Sequence, residues 1–270
     1  MLDAWFNELF NFEEFKVSPL YVKDTEKDFD KLGCLIDRPE ETMRMFLMNM
    51  DVEANSRLIM RTAKIQPDPL KKPLLATWKG WGTGKTRGFE EVRRRLFYKP
   101  DCFTMGITFT NEWDINDDEV RVWLTYSKPF AFMMSVFVRM ASIYFNVPLD
   151  KVINDINNHH DVNTFYQTNA IDNGKQLIQD FILYMIHRCG RVDDVKTVVV
   201  LVDDIYKASK TCEDEKVAEI LHKTLLDSGI MMNGNQLNVA LGISTLHPGP
   251  LCLRNDGREI KSFLFPNALC

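Results

Sequence analysis

The densest chemistry in the chain lies in eight consecutive residues, Lys79-Gly80-Trp81-Gly82-Thr83-Gly84-Lys85-Thr86. Gly84, Lys85 and Thr86 fit the phosphate-loop pattern G-x-x-x-x-G-K-[ST], and Gly82 fills a position that often carries a further glycine. Glycines let successive backbone N–H groups curl around a phosphate, and the helix that follows adds the positive end of its dipole. On this reading Gly80, Trp81, Gly82, Thr83, Gly84, Lys85, Thr86 and Arg87 wrap a nucleotide. Lys85 reaches the β- and γ-phosphates, and the Thr86 hydroxyl ligates Mg²⁺. Lys79 stands where the first glycine belongs. That is tolerated if the position needs no positive φ, with Gly80 supplying the freedom instead. The alternative is a glycine-rich surface turn that contains Lys-Thr by coincidence. An apolar strand before the loop and a helix after it favour the phosphate reading.

A phosphate loop needs a carboxylate partner, and VVVLVDD at 198–204 has the form of an apolar strand ending in acids. Asp203 is the expected magnesium-associated carboxylate, and Asp204 the group that orients an attacking water. Aspartate is one methylene shorter than the glutamate many ATPases place there, which predicts slow turnover. The alternative is a polar strand end without chemistry. The next strand, 237–243, ends in Ser244-Thr245. In ATPases of the additional-strand type, a polar residue there senses the γ-phosphate; a solvated strand end is the alternative. Arg254 and Arg258 follow. An arginine in that place could reach the γ-phosphate in cis or across a subunit interface, or form only surface salt bridges.

The elements that must position these groups alternate. Strands are expected at 74–77, 103–110, 197–202, 237–243 and 260–264, and helices at 86–97, 130–145, 173–189 and 214–226. This order predicts an α/β fold, a mainly parallel sheet with helices on both faces, as in a P-loop NTPase of the additional-strand type. Gln66-Pro67-Asp68-Pro69 and Lys72-Pro73 punctuate the chain. They divide it into a helical N-terminal segment, 1–66, and an ATPase domain, 67–270. Within the first, a helix opens at Arg38-Pro39-Glu40-Glu41 and runs through Met43, Phe46, Leu47 and Met50, its methionines serving as soft packing surface.

The 270 residues are 45% hydrophobic and 26% charged, which excludes disordered and coiled-coil classes. With 33 basic and 38 acidic residues, the formal net charge of −5 gives no general case for nucleic acid, though a local basic groove stays open. The longest apolar stretches fall short of the roughly 20 residues that span a bilayer, and no export signal opens the chain. The expectation is a soluble intracellular protein, cytoplasmic or nuclear, without membrane contact. Cysteines at 34, 102, 189, 212, 252 and 270 lack any C-x-x-C spacing and read as free thiols.

The succession of segments resembles a family. FTMGITFTN at 103–111 is similar to an "ITFN" strand, and RMASIYF at 139–145 to the helix end that follows it. VLVDDI at 200–205, Ser244-Thr245-Leu246, Asn255-Asp256-Gly257-Arg258 and LFPNAL at 264–269 continue the order. Together they resemble the P-loop ATPase module of Crinkler-type effectors and retrotransposon hot-spot proteins, relatives of the AAA and STAND ATPases, over residues 70–270. Lys79, Asp204 and Asn255-Asp256 depart from the pattern. The resemblance implies ATP hydrolysis coupled to a neighbouring effector domain, often a restriction-endonuclease-type nuclease, and work in or near the nucleus. No nuclease segment follows the LFPNAL stretch, which leaves an ATPase-only member or a shorter piece as alternatives.

Other constellations carry less. Arg93-Arg94-Arg95 beside Glu90 and Glu91 reads as a solvated helix face with i,i+4 pairs, and His159-His160 has no further ligand at metal spacing. No N-K-x-D signature is present, so ATP is favoured over GTP. The leading expectation is an Mg²⁺-dependent ATPase switch acting on a partner or effector domain. A non-hydrolysing nucleotide-binding scaffold is the alternative, favoured by Lys79 and the short base. A small-molecule kinase ranks last, because no compact arginine-rich lid is visible.

Overall fold

A β-branched run buried at every residue has to lie inside a sheet that is covered on both faces, and Thr197–Asp203 is such a run. The computed structural model describes residues 6, 39–64, 73–78, 85–109, 121, 123–145, 147–158, 170–210, 214–227, 229–246 and 260–263. Its strands are β1 (Leu74–Trp78), β2 (Cys102–Thr108), β3 (Thr197–Asp203), β4 (Ile230–Met232), β5 (Asn235–Thr245) and β6 (Ile260–Ser262). Its helices are α1 (Pro39–Ala63), α2 (Lys85–Phe97), α3 (Lys128–Phe145), α4 (Leu149–Asn158), α5 (Ala170–Arg188) and α6 (Asp214–His222). A 3₁₀ segment, Ile205–Lys210, follows β3, and a π-helical turn, Lys223–Asp227, ends α6.

The strand order is β2-β3-β5-β1-β6, and every pair along it is parallel. β5 therefore intervenes between β1, which leads into the phosphate-loop segment, and β3, which carries the acids. This is the additional-strand arrangement expected from the sequence, a mostly parallel α/β sheet with helices on both faces. β4 alone is antiparallel, joined to β5 through Asn233-Gly234. Both turn residues have positive φ, 51° and 76°, as a two-residue hairpin of matching twist requires.

Side chains alternate between two apolar layers. Val198, Val200 and Val202 of β3, with Val239, Leu241 and Ile243 of β5, face a large core built from α3, α4, α5 and α6. Val199, Leu201 and Ala240 face a smaller layer with Val52, Ile59 and Ala63 of α1 and Phe89, Val92 and Leu96 of α2. The α2 residues recur at helical spacing, so the helix lays one stripe on the sheet. α3 is buried nearly all round, wedged between sheet and helices, and Ser127 caps it by accepting the Phe130 N–H at 3.1 Å. Each fully buried Phe or Leu in these layers contributes about 1.5–3 kcal/mol.

Two parts of the 1–66 segment join these layers. Phe6 packs against Phe137, Phe181 and Tyr184 with ring centroids 6.2, 5.6 and 5.0 Å away. The helix expected through Met50 continues to Ala63, and its second half lies on the smaller layer. The methionine side chains of its first half lie outside the described residues.

Arg93 corrects the expectation of a solvated arginine face. It is buried, paired with both Glu90 oxygens at 2.8 and 2.9 Å, and it lies across Gly106 of β2. A Cβ at Gly106 would sit 2.8 Å from Arg93 Cδ, so only glycine admits the guanidinium there. Arg94 and Arg95 do keep acidic neighbours, Glu90 and Glu91 for the first and Glu53 of α1 for the second.

Candidate functional site

Parallel register brings the C-terminal ends of four strands to one edge. Thr108 of β2 lies opposite Asp203 of β3, Val202 opposite Ile243 of β5, and Thr77 and Trp78 of β1 opposite Ser244 and Thr245. In open α/β sheets this edge is where ligands bind. β1 ends here at Trp78, and α2 begins at Lys85, after residues 79–84. The first turn of α2 holds no acid and begins with Lys85-Thr86-Arg87. Cations at a helix N-terminus oppose the dipole, and an anion bound there would reverse the sign of that interaction.

Asp203 is the hub. Its Oδ2 accepts the Thr86 hydroxyl at 2.6 Å and the Thr108 hydroxyl at 3.3 Å, and its Oδ1 accepts the Ser244 hydroxyl. Four separate elements thus meet on one buried carboxylate. Ser244 Oγ also accepts the Asp204 N–H at 3.0 Å, which ties the acidic strand end to β5. The Phe109 N–H donates to the Asp203 carbonyl at 3.2 Å and extends the β2–β3 pairing past the strand end.

Asp204 is held differently. Its φ is 51°, in the left-handed region that aspartate tolerates better than most residues. Its side chain is buried, and Oδ1 has no hydrogen-bond partner. Burial, and next the Asp203 charge, push its carboxyl up to about 6, against the opposing pull of Lys85 and Lys207. At neutral pH it remains mostly ionised yet far more basic than an ordinary aspartate. Thr245 Oγ1 is the second buried oxygen at this edge without a partner.

The structure brings together Lys85, Thr86, Asp203, Asp204, Ser244 and Thr245, all anticipated from the sequence. Lys85 is buried at the helix start, near enough to Asp204 to bear on its ionisation. Gly80, Trp81, Gly82, Thr83, Gly84, Arg254 and Arg258 lie outside the described residues, as do the Arg87 side chain and His159-His160. Between the two proposed sensors the geometry discriminates: the Ser244 hydroxyl is committed to Asp203, and the Thr245 hydroxyl is open. Thr108 and Lys207 were not anticipated. Thr108 gives the same cue as Ser244, a hydroxyl at the end of an apolar strand. Lys207 gives none, because only the 3₁₀ turn after Asp204 brings it close.

Among the described residues no cluster of three His, Cys, Asp or Glu could cage a metal. The donor set that is present suits Mg²⁺ in another way. Thr86 spends its single proton on Asp203 and keeps its lone pairs for a hard cation, and the carboxylate stands behind it. The two described cysteines offer no competing chemistry here. Cys102 is free and buried, and burial pushes its thiol up to about 11; Cys189 is also free and raised by burial. No helix among the described residues is long and apolar enough to cross a membrane. Comparison with protein-family models and with curated proteins gives no match.

Proposed function

We propose that this chain is an Mg²⁺-dependent ATP-binding and hydrolysing switch that acts on a partner or effector domain. The observation that carries the reading is the convergence of Thr86, Thr108 and Ser244 on Asp203, with Asp204 Oδ1 left unsatisfied beside them. A buried carboxylate oxygen without a donor is costly unless a ligand or water completes it. Lys85 holds the phosphates, and the glycine loop wraps them with backbone N–H groups. Mg²⁺ would be held by Thr86 directly and by Asp203 through water, and it supplies neutralisation of phosphate charge. Asp204, as a base near pH 6, accepts the proton of an attacking water, and Thr245 offers the γ-phosphate its free hydroxyl. Bound ATP orders the loops around the edge, and hydrolysis releases them, which is how a partner domain would be moved. The sequence resemblance to the Crinkler-type module supports this assignment, and with it an intracellular setting.

One observation favours a second reading, a scaffold that binds ATP without hydrolysing it. Asp204 is short and fixed in a left-handed turn by Ser244, which limits its reach. Mg–ATP turnover by wild type beside Lys85→Ala and Asp204→Asn separates the two. The switch predicts turnover that falls about 100-fold or more in both variants, with binding lost only in Lys85→Ala. Binding without turnover in wild type selects the scaffold. Wild type that neither binds nor hydrolyses ATP ends both.

A further inference from the structure

We infer that Thr108, at the end of edge strand β2, is a positioning residue that sets the Asp203 carboxylate for the metal. The inference rests on the nucleotide reading above and adds a residue to it. Asp203 could in principle rotate about its side-chain torsions, and its three hydroxyl donors decide whether it does. Ser244 fixes Oδ1 from β5, on one side of β3. Oδ2 is approached from two directions, by Thr86 from α2 and by Thr108 from β2 on the other side of β3. Thr86 shares its oxygen between Oδ2 and a cation, so Thr108 is the donor that holds Oδ2 from the strand framework alone. It is the strand-borne counterpart of Ser244.

An edge strand is a poor anchor unless its free side is secured, and β2 is secured. The buried Tyr144 hydroxyl of α3 donates to the Thr104 carbonyl at 2.9 Å and accepts the Gly106 N–H at 3.3 Å, occupying two outward backbone groups of the strand. Arg93 of α2 reaches the same hydroxyl from the other layer at 3.5 Å, through the space Gly106 leaves. Burial pushes the Tyr144 phenol up, which keeps it protonated as the donor this bracket needs. Thr108 lies two residues beyond the bracketed Gly106. Its height opposite Asp203 is therefore fixed by α2 and α3 together, and α2 is the helix that presents Thr86.

The test compares nucleotide affinity with and without Mg²⁺ for wild type, Thr108→Val and Thr108→Ser, using a fluorescent ATP analogue, with thermal unfolding of each variant alongside. Losing an outer partner of a metal site typically costs 10- to 100-fold, and one donor of three should cost about 10-fold. Thr108→Val should lose about 10-fold of the affinity that Mg²⁺ adds, keep its affinity in EDTA, and leave Thr108→Ser at the wild-type level. If Thr108→Val does not fold, Thr108→Ala serves in its place. An unchanged Mg²⁺ gain, equal weakening with and without Mg²⁺, or a Thr108→Ser variant as impaired as Thr108→Val each overturns the inference while the nucleotide reading stands. Wild type without nucleotide affinity in either condition overturns both.

Discussion

At the start of β2 four successive carbonyls, those of Lys99, Pro100, Asp101 and Cys102, all have donors. The Arg191 guanidinium donates to the carbonyls of Lys99, Pro100 and Cys102 at 2.6–2.9 Å and stacks over Phe97, while the Asp101 carbonyl accepts N–H groups from Lys196 and Thr197. At the other end of the same two strands, Asp204 Oδ1 and Thr245 of neighbouring β5 are left open, two carboxylates stand side by side, and one residue takes a left-handed turn. The first arrangement leaves one buried oxygen, the neutral Thr197 hydroxyl, without a partner. The second accepts burial and like-charge costs that a bound cation and phosphate would offset. The contrast separates the edge that holds the sheet together from the edge available for chemistry.

The comparison breaks first at Arg191. Arg191→Ala removes charge-assisted donors from two partly buried carbonyls and one exposed carbonyl and should destabilise the fold by about 2 kcal/mol, with nucleotide affinity unchanged, as denaturant unfolding and a binding titration would show. A matching loss of affinity would mean that the two ends are not independent.

Asp204→Asn should act in the opposite direction. The folded carboxyl titrates near 6 and the unfolded one at an ordinary aspartate value, so the native state binds the proton more tightly. The favourable contribution of this group is complete below about pH 4 and lost as pH rises through about 6. At pH 7 the variant should be more stable than wild type by roughly 1–2 kcal/mol, after allowance for water that still reaches the site. Its unfolding free energy should also lose the slope between pH 4 and 6. A less stable variant at pH 7 would show that the Asp204 charge is already satisfied.

Gly106→Ala is the smallest test, on the bracket that links the two ends. The new Cβ displaces Arg93 from the Tyr144 hydroxyl, and a loss of about 1 kcal/mol is expected in thermal unfolding. No change would mean that Arg93 finds another path.

Much of the fold and site could be read from the sequence because the signals are local. The β-branched run before Asp203, the loop before Lys85 and the polar ends of β3 and β5 each announce themselves within a few residues. Two further elements carry equally local signals. Asn233-Gly234 marks the hairpin that adds β4, and Leu149, Val152, Ile153 and Ile156 mark α4 at helical spacing. Others could not be read locally. Arg93 sits within a charged stretch, and only the absence of a side chain at Gly106, on another element, explains its burial. Thr108 shows its hydroxyl at a strand end locally, but its place opposite Asp203 comes from a register with β3 that no short window contains.

The strand order also governs how the chain can fold. Leu74 pairs with Ile260 and Leu75 with Gly242, so β1 finds no neighbour until nearly all the described chain is available. Closing loops of that length is slow, and contacts so distant in sequence form late. The β2–β3 pair and its helices can assemble earlier around Asp203, but β1, which precedes the glycine-rich segment, joins the sheet last. On the nucleotide reading proposed above, a chain that holds nucleotide during synthesis at the ribosome is one that has already closed its sheet.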